Sequence, residues 1–285
     1  MNYRHVYHAG NFADVVKHII LTRVMAYLQR KDAACLYLDT HAGIGRYRLD
    51  ADEAKKTGEA ENGIVRFSNA LPSAPVDVAA LLEPYSHVLS ALNSAGDFNV
   101  LPGSPEIMNH LRRSQDRCLF NELHPDDHRT LAANHARARK TAITNLDAWA
   151  CLRAKLPPTE RRGLVLIDPP FEKMSETDDL LSGLNDALKR FATGTYLIWY
   201  PLKDAALGKR LREGVKALAP RSALNTELWV QPPRDGFFAG SGMVIINPPY
   251  VLADELKALM PWLTKCMESN KDSGNWATDW LVAAP

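Results

Sequence analysis

The sequence predicts an α/β protein built on an open, mostly parallel sheet. Three observations carry that expectation. Short apolar runs, each long enough for one strand, alternate with longer stretches of helical periodicity through most of the chain. Several of these runs are apolar at successive positions, as in parallel strands covered on both faces. The last two runs, 224–231 and 243–247, are separated only by PPRDGFFAGSG, which leaves no room for a crossover helix and makes the final strand antiparallel.

The first element is a helix. Asn11 suits its N-cap, Phe12, Val15, Val16, Ile19, Val24 and Leu28 recur at helical spacing, and Lys31-Asp32 closes it. His5, His8 and His18 have no carboxylate or cysteine beside them at ligand spacing, so no metal is expected. Residues 34–38 form the first buried strand, which runs into Asp39-Thr40-His41-Ala42-Gly43-Ile44-Gly45. An acidic residue followed by GxG lets the backbone turn sharply and a ligand approach the main chain. The third glycine of a dinucleotide fingerprint is missing, because Arg48 stands there.

Residues 47–101 leave the α/β rhythm. Polar residues run through Thr57-Gly58-Glu59, and a helical pattern of Val78, Leu81, Leu82, Tyr85, Leu89 and Leu92 follows. The expectation is a small helical subdomain at 47–101, inserted in a Rossmann-like domain formed by 1–46 and 102–285. The main fold resumes at Gly103-Ser104-Pro105-Glu106, with Ser104 as N-cap and Pro105 as the first helical residue.

From there the alternation is regular. Strand 117–123 carries Glu122 near its end and precedes helix 126–139. Strand 142–146 ends at Asp147 and precedes helix 149–156. The central strand lies in GLVLIDPPF, and helix 178–191, with Gly194 as its stop signal, comes next. Strand 195–200, helix 203–219 and the two final strands complete the sheet. The tail from 254 reads as one helix and a polar end. Right-handed crossovers make the first five strands parallel. Seven strands with the last antiparallel suggest the class I S-adenosylmethionine-dependent methyltransferase arrangement.

The strand ends then agree with one another, because in a doubly wound sheet they lie side by side where ligands bind. Two successive prolines cannot continue a sheet ladder, so the chain leaves the central strand stiffly at Asp168-Pro169-Pro170-Phe171. Asp168 and the Pro169 carbonyl can each accept one hydrogen of an exocyclic amine. Phe171 can stack on the heterocycle, worth roughly 1–3 kcal/mol per base. The turn at Asp39 and Gly43 suits a methionine moiety, Glu122 suits ribose hydroxyls, and Asp147 can accept from an adenine amine. Asn247-Pro248-Pro249-Tyr250 has the same grammar, but it follows the antiparallel strand and points to the other edge, so its expected role is structural.

Composition sets the surroundings. The 285 residues are 46% hydrophobic and 24% charged, enough for one large or two small domains, with net charge +1 and no global field to attract a polyanion. Between Arg129 and Arg162, eight basic residues face only Asp147 and Glu160, a local phosphate-binding candidate. No apolar run approaches the roughly 20 residues that span a bilayer. The amino terminus is too polar for a signal peptide, and the four scattered cysteines read as buried thiols. A reduced, cytoplasmic protein without membrane contact is expected.

Longer motifs are more specific. YRHVYHAGNFADVVKH, YLDTHAGIGRY, PGSP, NELHP, GLVLIDPPF, RFATGTYLIWYP and SGMVIINPP, in this order over essentially the whole chain, resemble the RlmJ family of bacterial 23S rRNA adenine-N6 methyltransferases. The resemblance implies S-adenosylmethionine as methyl donor, no metal, an inserted helical subdomain, and 23S rRNA, protein-free or early in assembly, as the partner of a monomer. It implies cofactor contacts at His18, His41, Ser104, Glu122, Asp147, Ala148 and Asp168, with Tyr3 touching RNA. It also sets Lys17 and His18 beside the cofactor, which brings Tyr3, Arg4 and Lys17 to the substrate entrance. Phe171 stands where relatives can carry Tyr, and Ala148 where a Gly can occur. Either ring can stack, and Asp147 keeps its acceptor. The alternatives are a DNA adenine-N6 methyltransferase, an NAD-dependent oxidoreductase, which the missing third glycine disfavours, and an inactive RNA-binding scaffold, which an intact Asp168 disfavours.

Overall fold

A computed structural model of the chain describes residues 4–51, 56–93, 98–173, 175–234 and 236–283. Asn11 caps helix α1 (Phe12–Leu28), its side chain accepting the Asp14 N–H at 3.0 Å. This helix is buried from Ala13 to Met25, so it lies inside the fold instead of on its surface. Asp14, Lys17, His18 and Arg23 on it are buried too, and a buried charge is costly unless paired. Arg23 meets Glu255 through two bonds of 2.9 Å. The other three belong to the site below.

Strand β1 (Leu36–Asp39) leads through the glycine turn to β2 (Arg46–Arg48). Helices α2 (Ile64–Ala70) and α3 (Val76–Leu92) follow, and then β3 (Val100–Pro102) pairs antiparallel with β2. Tyr47 opposes Leu101 in that short ladder, which gathers both ends of the helical segment. Phe67, Val78, Leu82 and Tyr85 of the segment join Val16, Ile19 and Ile20 of α1 in one apolar cluster.

Helix α4 (Ser104–Leu111) then precedes β4 (Arg117–Asn121), α5 (Pro125–Asn134), β5 (Thr141–Thr144) and α6 (Ala148–Lys155). Next come β6 (Gly163–Ile167), α7 (Glu176–Arg190), β7 (Thr195–Leu202) and α8 (Ala205–Ala217). The chain finishes with β8 (Ala223–Trp229), β9 (Gly240–Ile246), α9 (Leu252–Met267) and β10 (Asn275–Val282). The sheet order is β10-β8-β9-β7-β6-β1-β4-β5. β1, β4, β5, β6 and β7 are parallel, and β9 runs antiparallel between β7 and β8. Successive strand residues alternate between two cores: Tyr37, Leu164, Leu166 and Leu197 face α1, while Leu36, Leu38, Val165 and Ile167 face α6 to α8.

Two expectations are corrected. The large sheet has eight strands, not seven, because the tail read as polar forms β10 against β8. An edge strand rests on only one neighbour, so NWATDWLV stays half exposed and lacks the apolar run of its partners. Ser104 is also not a cap: Gly103 holds that position, and Ser104 is the first helical residue with its hydroxyl turned inward.

Strand direction sends the two Pro-Pro motifs to opposite edges. Asp168 follows parallel β6, whereas Asn247 follows antiparallel β9. Asn247 takes a left-handed backbone (φ +50°), and its amide donates to the Ala192 and Gly194 carbonyls at 2.9 and 2.7 Å. Four of the clustered basic residues sit at this amino edge as well, since Arg139-Lys140 immediately precede β5 and Arg161-Arg162 precede β6. Arg162 spends its guanidinium on the Ala33 and Leu28 carbonyls. That run is therefore not one patch beside the carboxyl edge.

Candidate active site

A cleft of about 650 Å³ opens where the parallel strands end, bounded by α1, the glycine turn, the β4 and β5 exits, and the Asp168 turn. The glycine turn is shaped by two left-handed residues, Gly43 at φ +58° and Gly45 at φ +77°. A Cβ on Gly43 would stand 2.3 Å from the Tyr47 hydroxyl, and one on Gly45 would stand 2.6 Å from His135 Nε2. Both positions therefore require glycine, by backbone conformation and by the side chains packed against them, and Gly43 lines the cleft.

Glu122 is braced at both oxygens. One accepts the Gly43 N–H and the other the His124 N–H, each at 2.8 Å, leaving further lone pairs toward the cleft. Burial pushes its carboxyl above the usual range. Asp147 caps α6 through Oδ1, which accepts the Trp149 and Ala150 N–H groups at 3.1 and 3.0 Å. Its Oδ2 takes no part in these bonds. Ala148 lines the cleft beside it.

Asp39 does not line the cleft, contrary to the expectation of a cofactor contact. It is fully buried behind the turn, accepting the Ser104 hydroxyl at 2.5 Å and the His41 N–H at 3.0 Å. Burial pushes its carboxyl up to about 6. Its placement is that of a brace for the turn and for α4. Ser104 and His41 do line the cleft, and the His41 ring stands edge-on to Trp149 with centroids 6.2 Å apart. Burial takes His41 down to about 4.

At the other end, α1 delivers a chain of charges to Asp168. Lys17 Nζ lies 2.5 Å from Asp168 Oδ2 and 2.8 Å from Asp14 Oδ1, and Asp14 Oδ2 lies 2.9 Å from His5 Nε2. Burial opposes the Lys17 ammonium, but Asp14 and Asp168 outweigh it and hold its pKa well above the ordinary value. Burial likewise opposes the Asp14 carboxylate, and His5 and Lys17 reverse that effect and hold it well below. The neighbouring His18 is pushed down to about 3 by burial, and its Nδ1 is buried without a partner. A neutral, unsatisfied imidazole on the wall of a cleft suits a ligand that can hydrogen-bond to it.

The expected substrate contacts are placed differently. Lys17 is buried and committed to two carboxylates, so it is not a cation presented to a phosphate. Arg4 binds Asp127 Oδ1 through Nε at 3.1 Å and Nη2 at 2.6 Å. Tyr3 lies outside the described residues. Pro169 lines the cleft beside Asp168, but Phe171 does not: its ring is 4% exposed and packs toward Trp199, with centroids 6.1 Å apart. Phe171 has a positive φ (+49°), and its ring belongs to the core beneath α6 to α8 instead of crossing the mouth. Trp149, Trp199 and Phe238 are aromatic walls of the cleft that the motifs did not reveal. Asp14 was missed as well, although a helix apolar on nearly every face with an Asp and a Lys one turn apart signals a buried pair.

Among the described residues no group of three or more metal-ligating side chains converges, and no helix is long and apolar enough to cross a membrane. Comparison with known proteins places this geometry. A family model described as ribosomal RNA large subunit methyltransferase D, RlmJ, matches residues 32–282. A Haemophilus influenzae protein named ribosomal RNA large subunit methyltransferase J is 42% identical over 285 residues, with 99% of each chain covered. An Escherichia coli K12 protein of the same name is 40% identical over the same length and coverage. A crystal structure from Legionella pneumophila superposes with a TM-score of 0.87 at 33% identity, covering 95% of this chain and 98% of that one. With the family match spanning nearly the whole sheet and relatives aligned from end to end, the chain belongs to the RlmJ family of ribosomal RNA large subunit methyltransferases.

Proposed function

We propose that this enzyme transfers a methyl group from S-adenosylmethionine to the N6 amine of an adenine in 23S rRNA. The observation that carries the reading is the placement of Asp168 and Pro169 on one wall of a cleft whose other walls are the glycine turn, Glu122 and Asp147. The cofactor supplies an electrophilic methyl group on a sulfonium. Glu122 receives the ribose hydroxyls, Asp147 Oδ2 and Ala148 receive the adenine, and His18, His41 and Ser104 line the methionine end. The partnerless His18 Nδ1 supports that fit, as does a cleft volume within the few hundred to 1,000 Å³ usual for small-molecule sites.

The target amine is a weak nucleophile because its lone pair is delocalised into the ring. Asp168 and the Pro169 carbonyl accept its two hydrogens and turn the lone pair toward the methyl carbon. The new N–C bond forms as the C–S bond breaks, with the pair left on sulfur, and the amine proton leaves along the bond to Asp168. Lys17 balances the charge of Asp168 and fixes its orientation, so catalysis rests on positioning and fixed charges. The base must leave its stack to reach the cleft, which is least costly in unpaired RNA.

The same reading takes the protein as a cytoplasmic monomer that needs no metal and acts on rRNA before or early in assembly. Residues 47–101 serve as an inserted subdomain tied at its neck by the Tyr47–Leu101 pairing. The test is incubation with unmodified 23S rRNA and S-adenosylmethionine, followed by mass mapping of the RNA. One N6-methyladenine is expected, and preferential methylation of DNA oligonucleotides would overturn the substrate assignment.

A further inference from the structure

The exit turn after β6 holds a conformation that a phenylalanine rarely adopts. Phe171 is left-handed at φ +49°, a region where a side chain clashes with its own backbone and which persists only when the surroundings enforce it. Two groups enforce it. The ring is packed into the core beside Trp199, and the Phe171 carbonyl accepts a bond of 2.9 Å from Lys203 Nζ. Lys203 follows directly on β7 and is itself anchored. Its carbonyl accepts the Gly236 N–H at 3.2 Å, and the adjacent Leu202 carbonyl accepts the Ala239 N–H at 2.9 Å. The side chain reaches across the cleft wall from a fixed base.

Resting on the methyl-transfer reading above, we propose that Lys203 is a positioning residue: by holding the Phe171 carbonyl it keeps the Asp168-Pro169-Pro170-Phe171 main chain in the shape that aims the Pro169 carbonyl and the Asp168 carboxylate at the target amine. Pro169 and Pro170 are stiff, so a rotation at Phe171 is transmitted to Pro169 instead of being absorbed between them. Without the ammonium, the left-handed residue loses one of its two restraints and relaxes toward negative φ. A shift of about 1 Å in an acceptor is enough to cost on the order of 100-fold in rate.

A cation on a cleft wall could instead touch an RNA phosphate, and the two roles separate kinetically. The test is steady-state methyl transfer to unmodified 23S rRNA by wild type, Lys203→Met and Lys203→Arg, with melting temperature and S-adenosylmethionine affinity measured for each. Positioning predicts that Lys203→Met lowers kcat by about ten- to a hundred-fold. The KM for RNA, the cofactor affinity and the melting temperature stay at wild-type values. Lys203→Arg, which keeps a donor, recovers most of the rate. A raised RNA KM with unchanged kcat, an unchanged or faster Lys203→Met enzyme, a Lys203→Arg enzyme as slow as Lys203→Met, or loss of the fold would each overturn the inference. Absence of transfer by the wild type would sink the substrate reading instead, so the two failures are distinguishable.

Discussion

The two Pro-Pro turns of this molecule, Asp168-Pro-Pro-Phe171 and Asn247-Pro-Pro-Tyr250, share one chemical grammar and have opposite surroundings. Each follows a buried strand, and each has a left-handed residue within it, Phe171 in one and Asn247 in the other. Asp168 opens onto a cleft and meets a buried lysine, whereas the Asn247 side chain satisfies two backbone carbonyls and ties a corner of the sheet. The difference comes from strand direction alone: β6 is parallel to its neighbours and β9 is not. A short motif acquires chemistry from the edge to which its strand delivers it.

Asp168→Ala is expected to show the largest effect, a loss of turnover on the order of 10³-fold with the fold retained, comparable to deletion of a preorganised polar group at a reacting centre. Methyl incorporation into rRNA and thermal melting check it. Lys17→Met comes next. It leaves Asp14 and Asp168 without their cation, and breaking a buried pair this way costs about 3–5 kcal/mol of stability. Chemical denaturation should find that loss. A cost below about 1 kcal/mol would mean that the pair is solvated like a surface bridge.

The pH dependence of stability has a defined sign. His18 and His41 have pKa values pushed down to about 3 and about 4, so between pH 4 and 6.5 the unfolded chain binds two protons that the folded chain does not. Their contribution is present above the ordinary histidine pKa and is lost as pH falls toward their folded values. Asp39, pushed up to about 6, works in the other direction, and its contribution is lost as pH rises from about 4 through 6. Glu122, also raised by burial, acts with Asp39, so the histidine contribution is read by difference. Denaturation midpoints across pH 4 to 6.5 check it: the stability of the wild type relative to His18→Gln should climb with pH over this range, and a constant difference would show that His18 is not held neutral.

Smaller effects belong to the wall proposed to hold the cofactor. Glu122→Ala should weaken S-adenosylmethionine binding by about 1–3 kcal/mol, because it also frees the Gly43 and His124 N–H groups. Asp147→Ala should weaken it less, since its lost cap can be replaced by water. Calorimetry decides both. Asn247→Ala should leave methylation nearly intact and cost about 1–3 kcal/mol of stability from two unsatisfied carbonyls.

Much of this was legible in the sequence, and the limits have physical causes. Parallel strands buried on both faces write unbroken apolar runs, so β1, β4, β6 and β7 were readable, as were the carboxyl-edge positions of Glu122, Asp147 and Asp168. β10 was not, because a half-exposed edge strand carries polar residues on its open side. Asp39 was misjudged because an acidic residue at a strand end looks the same whether it faces a ligand or a buried hydroxyl. Phe171 was misjudged because no residue pattern reports a positive φ. The pairings of Lys17 with Asp168 and of Arg4 with Asp127 join side chains more than 100 residues apart, and spacing along the chain cannot reveal them.

Ligand binding at the carboxyl edge, and not at the look-alike turn, has a readout in backbone hydrogen exchange with and without S-adenosylmethionine. Protection is expected at 40–45, at 122–124, at 147–150 and at Asp168 and Phe171, with Asn247 and Tyr250 unchanged. Protection at Asn247 or Tyr250, or none at 40–45, would overturn that assignment.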